Sequence, residues 1–459
     1  MSDLPAPLPG HRVHLVSLGC PKNRVDSEIM LGHLTKGGYM VVDNAEDADV
    51  LLVNTCAFID EAKAESVDAI LELAEIKERS AQRGHAPRLV VAGCLAQRHA
   101  ELRVEMPEVD AFVGTGEYHR VLEALLPSAV PHDHDLLGKP WYVADHVTPR
   151  VVSTEPWTAY VKIAEGCSQP CAFCIIPKLR GKQRSRQVDD VVAECRDLAT
   201  RGVIEINLVA QDLTHYGEDI GDPGALQHLV QKLGELHELK WVRLLYAYPH
   251  NFTDGLIDAM ATSPNCLRYL DMPLQHGHDA VLAAMKRMTS RDEIVSTLDR
   301  IRARMPDLVL RTTLLVGHPG ETEAHFQDLL AFVEAQRFDR LGVFAYSQEE
   351  GTLSARLPDQ VPSIVRKARR AAVMKLQEGI AKHKAREMVG RVVEVLIEGA
   401  SQETDLLLQG RTQGQAPDID GVTYINDVAD GVPEVRAGQL RRVKLSRAAA
   451  HDFVGKVVA

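Results

Sequence analysis

At 459 residues the chain exceeds one ordinary domain, and roughly two to four are expected. Its 45% hydrophobic and 25% charged residues exclude a disordered or fibrous protein. The net charge of -12, from 52 basic and 64 acidic residues, argues against general nucleic-acid binding but leaves room for a local basic patch. Apolar runs such as Val50–Val53 and Val309–Val316 are far too short to span a bilayer. The N-terminal run M-S-D-L-P-A-P-L-P-G lacks the basic start and apolar core of a secretory signal, so a cytoplasmic location is expected. Eight cysteines are too sparse for a disulfide scaffold; in a reducing compartment they bind metal, react or pack.

Residues 11–127 read as strands alternating with helices. H-R-V-H-L-V-S-L-G-C is an apolar strand ending at Gly19-Cys20, followed by a helix from Asp26 to Leu34. A-D-V-L-L-V-N-T-C ends a second strand at Cys56, with a helix from about Ala62 to Arg79. R-L-V-V-A-G-C ends a third at Cys94, and V-D-A-F-V-G is a candidate fourth. Short, continuously apolar strands of this kind predict a parallel α/β sheet. Active groups in such sheets gather outside the carboxyl ends of the strands. Cys20, Cys56 and Cys94 each stand at that end, so convergence of the three is expected; ordinary buried cysteines are the competing reading. The stretch 128–154 shows little periodicity and reads as a linker, with His132 and His134 as exposed linker residues rather than ligands.

Residues 155–386 repeat the strand–helix unit. Y-V-K-I-A-E-G-C leads into a cysteine triplet, and a helix from about Val188 to Thr200 follows. Further strands are V-I-E-I-N-L-V-A-Q, W-V-R-L-L-Y-A-Y-P, C-L-R-Y-L-D-M, L-V-L-R-T-T-L-L-V-G and R-L-G-V-F-A-Y-S. The pattern predicts a TIM-like barrel or part of one, with chemistry in the loops after the strands. A Lys-, Arg- and Ala-rich helix from about Val361 to Arg386 either bridges domains with a solvated face or binds RNA. Residues 387–459 are short alternating segments broken by Gly, Asp and Pro, which predicts a small all-β barrel. Its nine basic and eleven acidic residues, counted from Arg386, are poorly suited to gripping phosphate.

The triplet is C-S-Q-P-C-A-F-C, with Cys167, Cys171 and Cys174 directly behind Gly166. Thiolates suit zinc, copper(I) or an iron–sulfur cluster. A [4Fe–4S] cluster normally takes four thiolates, yet the next cysteine is Cys195, so one iron would stay open for chemistry. Structural zinc, a plain electron-transfer cluster and coincidental core cysteines are the alternatives. The C-x3-C-x2-C spacing, with Phe173 before the last cysteine, resembles the radical S-adenosylmethionine (SAM) superfamily. The resemblance implies that SAM chelates the open iron and is cleaved to a 5′-deoxyadenosyl radical.

The run Ser17–Glu28, S-L-G-C-P-K-N-R-V-D-S-E, resembles the opening motif of the methylthiotransferases within that superfamily. In that family the cysteines matching Cys20, Cys56 and Cys94 hold a second [4Fe–4S] cluster, and the small neighbours Gly19 and Gly93 would admit its bulk. The C-terminal barrel resembles a TRAM domain. The chain is similar to the branch that modifies an aspartate of ribosomal protein S12, rather than the branch that modifies an adenosine next to the tRNA anticodon. The similarity lies in L-G-C-P-K-N (18–23), the run from Gly166 to Arg186, L-Y-A-Y-P (245–249), D-M-P-L-Q-H (271–276) and F-A-Y-S-Q-E-E-G-T (344–352). Glu349-Glu350 stand where the tRNA branch has Arg-Pro, and His318 departs from the usual aromatic. An acidic chain also fits a basic ribosomal protein better than tRNA.

The implied reaction replaces a C–H at the aspartyl β-carbon with C–SCH3, a carbon so unreactive that a radical is needed. One SAM would methylate sulfur associated with the second cluster, and another would supply the radical. S12, free or within the small ribosomal subunit, and an electron donor are the implied partners; a membrane and direct tRNA binding are not. Phe173, Gln211, Asp212, Gly317, Pro319 and Gly320 are candidates to bind SAM, although structural loop and turn roles compete. Arg180, Arg184, Gln275 and His276 are candidates to bind substrate. For the arginines, with Lys182 and Arg186, a solvated basic loop is the alternative. Cys195 and Cys266 read as packing cysteines. Two rival functions remain open: tRNA methylthiolation, and a non-enzymatic ribosome- or RNA-binding adaptor with structural metal.

Overall fold

In the first sheet the strands are apolar because both faces are covered, and every residue of Val50–Thr55 is buried. The computed structural model describes residues 11–99, 101–126, 132–404 and 406–459. The N-terminal run, residues 128–131 of the expected linker and Asp405 lie outside the described residues. The elements of the first region are β1 (Arg12–Ser17), α1 (Pro21–Lys36), β2 (Met40–Val41), β3 (Val50–Thr55), α2 (Asp60–Gln82), β4 (Arg88–Gly93), α3 (Cys94–Arg98), α4 (Leu102–Glu105) and β5 (Ala111–Val113). The strands pair in parallel in the order β2-β1-β3-β4-β5. The first helix begins at Pro21, not at Asp26 as its apolar periodicity suggested. Proline at the first position suits a helix start, because its missing N–H has no helical partner to lose. Lys22, Asn23, Asp26 and Glu28 therefore lie on a helix, and all four are buried.

A six-stranded parallel sheet forms the expected partial barrel. Its strands, in sheet order, are β6 (Thr158–Lys162), β9 (Glu205–Val209), β10 (Trp241–Leu244), β11 (Cys266–Asp271), β12 (Val309–Val316) and β13 (Arg340–Ala345). The short strands β7 (Ala164–Glu165) and β8 (Arg184–Ser185) bracket the cysteine triplet and pair with each other. Seven helices connect the strands: α5 (Ile176–Arg180), α6 (Val188–Thr200), α7 (Ala225–Gly234), α8 (Asp254–Thr262), α9 (Asp279–Ala284), α10 (Arg291–Arg304) and α11 (Glu323–Gln336). Cys195 and Cys266 are buried in this core and bear out the packing reading. α12 (Ser363–Met388) bridges the last two regions: Val373 and Ile380 join the central core, and Ala385 joins that of the terminal barrel. The terminal barrel closes in the order β14 (Val392–Ala400), β15 (Leu408–Thr412), β16 (Thr423–Val428), β18 (Phe453–Val457), β17 (Leu440–Ala448). Among the described residues no helix is long and apolar enough to cross a membrane.

The described part of the expected linker is not loose. Asp135 accepts from the Phe112 amide at 2.7 Å, and the Leu136 amide donates to the Phe112 carbonyl at 2.8 Å. Arg150 bridges Glu28 of α1 and Glu194 of α6. His132 and His134 are partly buried, a correction to the exposed-linker reading. His132 is tilted against the Phe112 ring at 5.6 Å. Hydrogen bonds to a sheet edge leave no periodic signature, which is why the segment reads as irregular.

The terminal barrel sits at the amino end of the central strands. Glu205, the first residue of β9, accepts from Arg411 at 2.6 Å and from Arg243 at 3.2 Å, and all three are buried. Tyr269 donates to Asp420 at 2.8 Å, and Trp241 donates to Glu394 at 3.2 Å. Burial alone would raise the Glu205 carboxyl, but Arg411 and Arg243 more than reverse this and hold it at about 2 against the ordinary 4.5. A depressed carboxyl contributes stability in full above its ordinary value and loses it as pH falls toward its folded value. Attachment of the terminal barrel should therefore weaken between about pH 4.5 and 2. Glu205→Gln should cost about 3–5 kcal/mol at neutral pH, by leaving two buried cations unpaired. Chemical denaturation of the variant checks this; a change below about 0.5 kcal/mol would remove the interface role.

Candidate functional site

β1, β3 and β4 are neighbours, and a cysteine follows each. Cys20 precedes α1, Cys56 follows β3 and Cys94 opens α3. Gly19 has φ +89, and a Cβ there would stand 2.9 Å from Cys56 Cβ. Gly93 has φ +96, and its Cβ would stand 2.6 Å from the Thr55 carbonyl. Only glycine lets the strand ends draw this close. The three thiols lie within electrostatic reach of one another. Burial pushes Cys94 up to about 12 and also raises Cys56. Burial would raise Cys20 too, but the Lys22 and Arg180 cations and two backbone amides pull it below the ordinary thiol value.

The second triplet lies at the carboxyl end of the central strands. Its loop is hooked in place by backbone bonds from Cys167 to Gly181 (3.0 Å), from Ala172 to Met285 (2.9 Å) and from Ser354 to Ala172 (2.9 Å). Phe173 packs on Val281, Met285, Leu315 and Tyr346. Burial pushes Cys167 and Cys174 up to about 12. Arg287 donates to Cys171 Sγ at 3.5 Å and lies 3.8 Å over the Tyr248 ring. Among the described residues no three His, Cys, Asp or Glu side chains close around a single ion. An iron–sulfur cube spreads its ligand sulfurs wider than one ion does. Three soft donors on one tight loop fit it, and ligation would deprotonate them.

Buried charges join the two triplets. Arg180, on the helix that follows Cys174, donates to Glu165 at 3.0 Å, to Asp26 at 2.9 Å and to Asn23 at 3.1 Å. Lys162 bonds Glu165 at 2.5 Å and also pairs with Asp26. Each of these four side chains is at most 4% exposed. Burial alone would raise Glu165, yet Lys162 and Arg180 hold it at about 2. The Arg180 guanidinium also lies within electrostatic reach of Cys94 and favours its thiolate. The loop after β10 meets a neighbour of each triplet: Lys22 lies 3.2 Å over the Tyr246 ring, and Arg287, which contacts Cys171, lies over Tyr248.

The residues expected from sequence are distributed around this mouth. Gln211 donates to Glu165 at 3.4 Å, and its own Oε1 is buried without a hydrogen-bond partner among the described residues. Asp212 accepts from Gln169 at 2.9 Å and pairs with His215 at 2.8 Å; His215 and Thr214 overcome burial to hold it below the usual carboxylate range. Gly317 donates to Glu321 at 2.7 Å, and Gly320 donates to the Asp359 carbonyl at 3.0 Å, with Pro319 between them. Gln275 has φ +74, a rare conformation for a side-chain-bearing residue, and bridges to β12. His276 is fully buried, and its burial with nearby histidines and Arg369 pushes it down to about 3, so the ring is neutral. Arg180 meets carboxylates of the protein itself, Asp26 and Glu165, and its buried guanidinium corrects the reading of a solvated loop. Arg184 donates to the carbonyls of Lys182 (2.7 Å) and Arg180 (3.1 Å), tying up its own loop. Glu349 is buried and accepts from Arg98 at 2.7 Å and Lys63 at 3.0 Å, clamping the first region to the barrel mouth.

Sequence reasoning did not single out Lys22, Asp26, Lys162, Glu165, Tyr246, Tyr248 or Arg287. The available signal was a charged residue inside an otherwise apolar strand or beside a cysteine.

Residues 12–114 match the family model of the uncharacterised protein family UPF0004, residues 161–333 that of the radical SAM superfamily, and residues 389–458 that of the TRAM domain. The ribosomal protein uS12 methylthiotransferase RimO of Anaeromyxobacter sp. (strain K) is 52% identical over 98% of this chain and 93% of its own. The proteins of the same name from Myxococcus xanthus and Geobacter sulfurreducens are 50% and 45% identical, over 97% and 98% of this chain and 91% and 99% of theirs. Among solved structures, the radical SAM methyltransferase TsrM of Kitasatospora setae is similar with a TM-score of 0.55 and 15% identity, over 72% of each chain. That likeness concerns the fold alone.

If Arg180 joins the triplets as its contacts indicate, Arg180→Met strands Asp26 and Glu165 against one lysine. The expected loss is about 3–5 kcal/mol in chemical denaturation, with Arg180→Lys recovering only part because the fork is lost. Stability within about 0.5 kcal/mol of the parent would contradict the role.

Proposed function

The chain belongs to the RimO family of radical SAM methylthiotransferases, and on that premise we propose that it methylthiolates the β-carbon of an aspartyl residue of ribosomal protein S12. It is a SAM-dependent enzyme with a [4Fe–4S] cluster. The reading extends this to two clusters, one held by Cys167, Cys171 and Cys174 and an auxiliary one held by Cys20, Cys56 and Cys94. What carries it is the placement of the second thiol set at three adjacent strand ends, joined through Arg180 to the loop of the first.

The chemistry supplied by the bound groups is hydrogen abstraction by a SAM-derived radical and delivery of a methylthio group. The chain's own residues hold, orient and shield. Arg287 donates a hydrogen bond to Cys171 Sγ, and Phe173 closes the loop against apolar neighbours. Gln211 and Asp212 after β9, with Gly317, Pro319 and Gly320 after β12, form the candidate SAM wall at the carboxyl ends of these strands. Gln275 and the neutral His276 shape the wall between SAM and substrate without adding charge. Arg180 acts as a positioning residue between the thiol sets, and Arg184 braces its loop. The work divides over 11–127 for the auxiliary site, 155–386 for the radical site and 387–459 for docking. S12 is met free or in the small ribosomal subunit, in the cytoplasm, with an electron donor and without direct tRNA binding.

Anaerobic reconstitution should give about eight irons per chain, and about four when Cys20, Cys56 and Cys94 are all replaced. A variant lacking these three that keeps the full iron count would remove the auxiliary site; zinc in place of iron would remove the radical reaction. SAM should perturb the spectrum of the cluster at Cys167–Cys174. Incubation with S12 and with tRNA should place a methylthio mass increment on S12 alone; an increment on tRNA alone would favour the adenosine-modifying branch.

A further inference from the structure

Lys22 is an ammonium more than nine-tenths buried. Among the described residues its ammonium makes no ion pair with a carboxylate and donates no hydrogen bond; it faces the Tyr246 ring, 3.2 Å below, and the Cys20 thiol is its nearest charge partner. The nearby carboxylates are taken. Glu165 is held by Lys162 and Arg180, and Asp271 by Arg311 at 2.8 Å. A desolvated cation without a carboxylate is costly, and an aromatic face and a neighbouring thiol offset only part of the cost. Such a group still has room for a ligand's negative charge.

Its support is built rather than incidental. Tyr246 has φ +67, a conformation that a side-chain-bearing residue holds only when its surroundings insist. The Tyr246 amide donates to Asp271 at 3.3 Å, so the Asp271–Arg311 pair fixes the ring that carries the ammonium. The location is also specific. Lys22 is two residues from Cys20, while Tyr246 is two residues from Tyr248, whose ring lies under the arginine that contacts Cys171. The unpaired charge thus stands between the two thiol sets.

We propose that Lys22 receives the side-chain carboxylate of the substrate aspartate and thereby selects an acidic residue for modification. This rests on the reading of S12 as substrate. The carbon to be modified is bonded directly to that carboxylate. One charge-assisted bond would therefore hold the reacting C–H within a bond length or two of a fixed point.

The test is a binding cycle with reconstituted enzyme and fluorescently labelled S12, native or with its target aspartate changed to asparagine. Lys22→Gln should weaken binding of native S12 by at least about tenfold. The asparagine protein should lose a similar factor with the parent enzyme, and Lys22→Gln should bind the two forms alike. Iron content should be unchanged in Lys22→Gln, whereas a residue that only neutralises the auxiliary cluster would lose iron and keep the discrimination. Lys22→Arg retains a cation and should retain part of the preference for aspartate. Losses that simply add, with the parent modifying S12, would overturn the role of Lys22 alone. A parent that leaves S12 unmodified would overturn the functional reading, and this inference with it.

Discussion

Four buried charges, Asp26, Lys162, Glu165 and Arg180, hold the two halves of the site in register. Each ion alone would cost several kcal/mol to bury. Together two anions and two cations cancel, and Asn23 satisfies a further Arg180 donor. Their value is directional. Asp26 belongs to the helix that starts after Cys20, and Glu165 precedes Cys167 by two residues. Arg180 leaves the triplet loop and reaches back to Cys94. Displacing any one of them moves both thiol sets at once. A mainly apolar contact would tolerate sliding, whereas a fork of directed bonds does not.

The two ends of the central sheet are given different work. At the amino ends, Glu205 with Arg411 and Arg243 fixes the terminal barrel to the central core. At the carboxyl ends stand the triplet loop, Asp212, Tyr246, Tyr248, Gln275 and the Gly317–Gly320 turn, as expected for parallel sheets with connecting helices. Glu349, clamped by Arg98 and Lys63, closes the mouth from the side of the last strand. Unusual backbone collects there too: Tyr246 and Gln275 both have positive φ.

The strands were legible because burial on both faces writes continuous apolar runs such as V-L-L-V and R-L-V-V-A-G. The convergence of Cys20, Cys56 and Cys94 could be read from strand ends alone. The first turn of α1 could not, because Lys22, Asn23 and Asp26 face inward to charge rather than to oil, which inverts the apolar stripe that marks a helix. The same inversion hid Arg180: a basic loop of four cations reads as solvated, and nothing local reveals that Glu165 and Asp26 wait for one of them. Glu349 carried a visible branch marker, but its partners lie more than 250 residues away in sequence, as the Arg98 contact does.

The central claim is that both thiol sets, brought together by this buried charge group, serve one reaction site. The most direct measurement is electron paramagnetic resonance of the reduced enzyme loaded at both sites. Its spectrum should be broadened or split by spin–spin interaction, beyond the sum of the spectra from variants lacking either the Cys20, Cys56 and Cys94 set or the Cys167, Cys171 and Cys174 set. A spectrum that equals that sum would contradict the account.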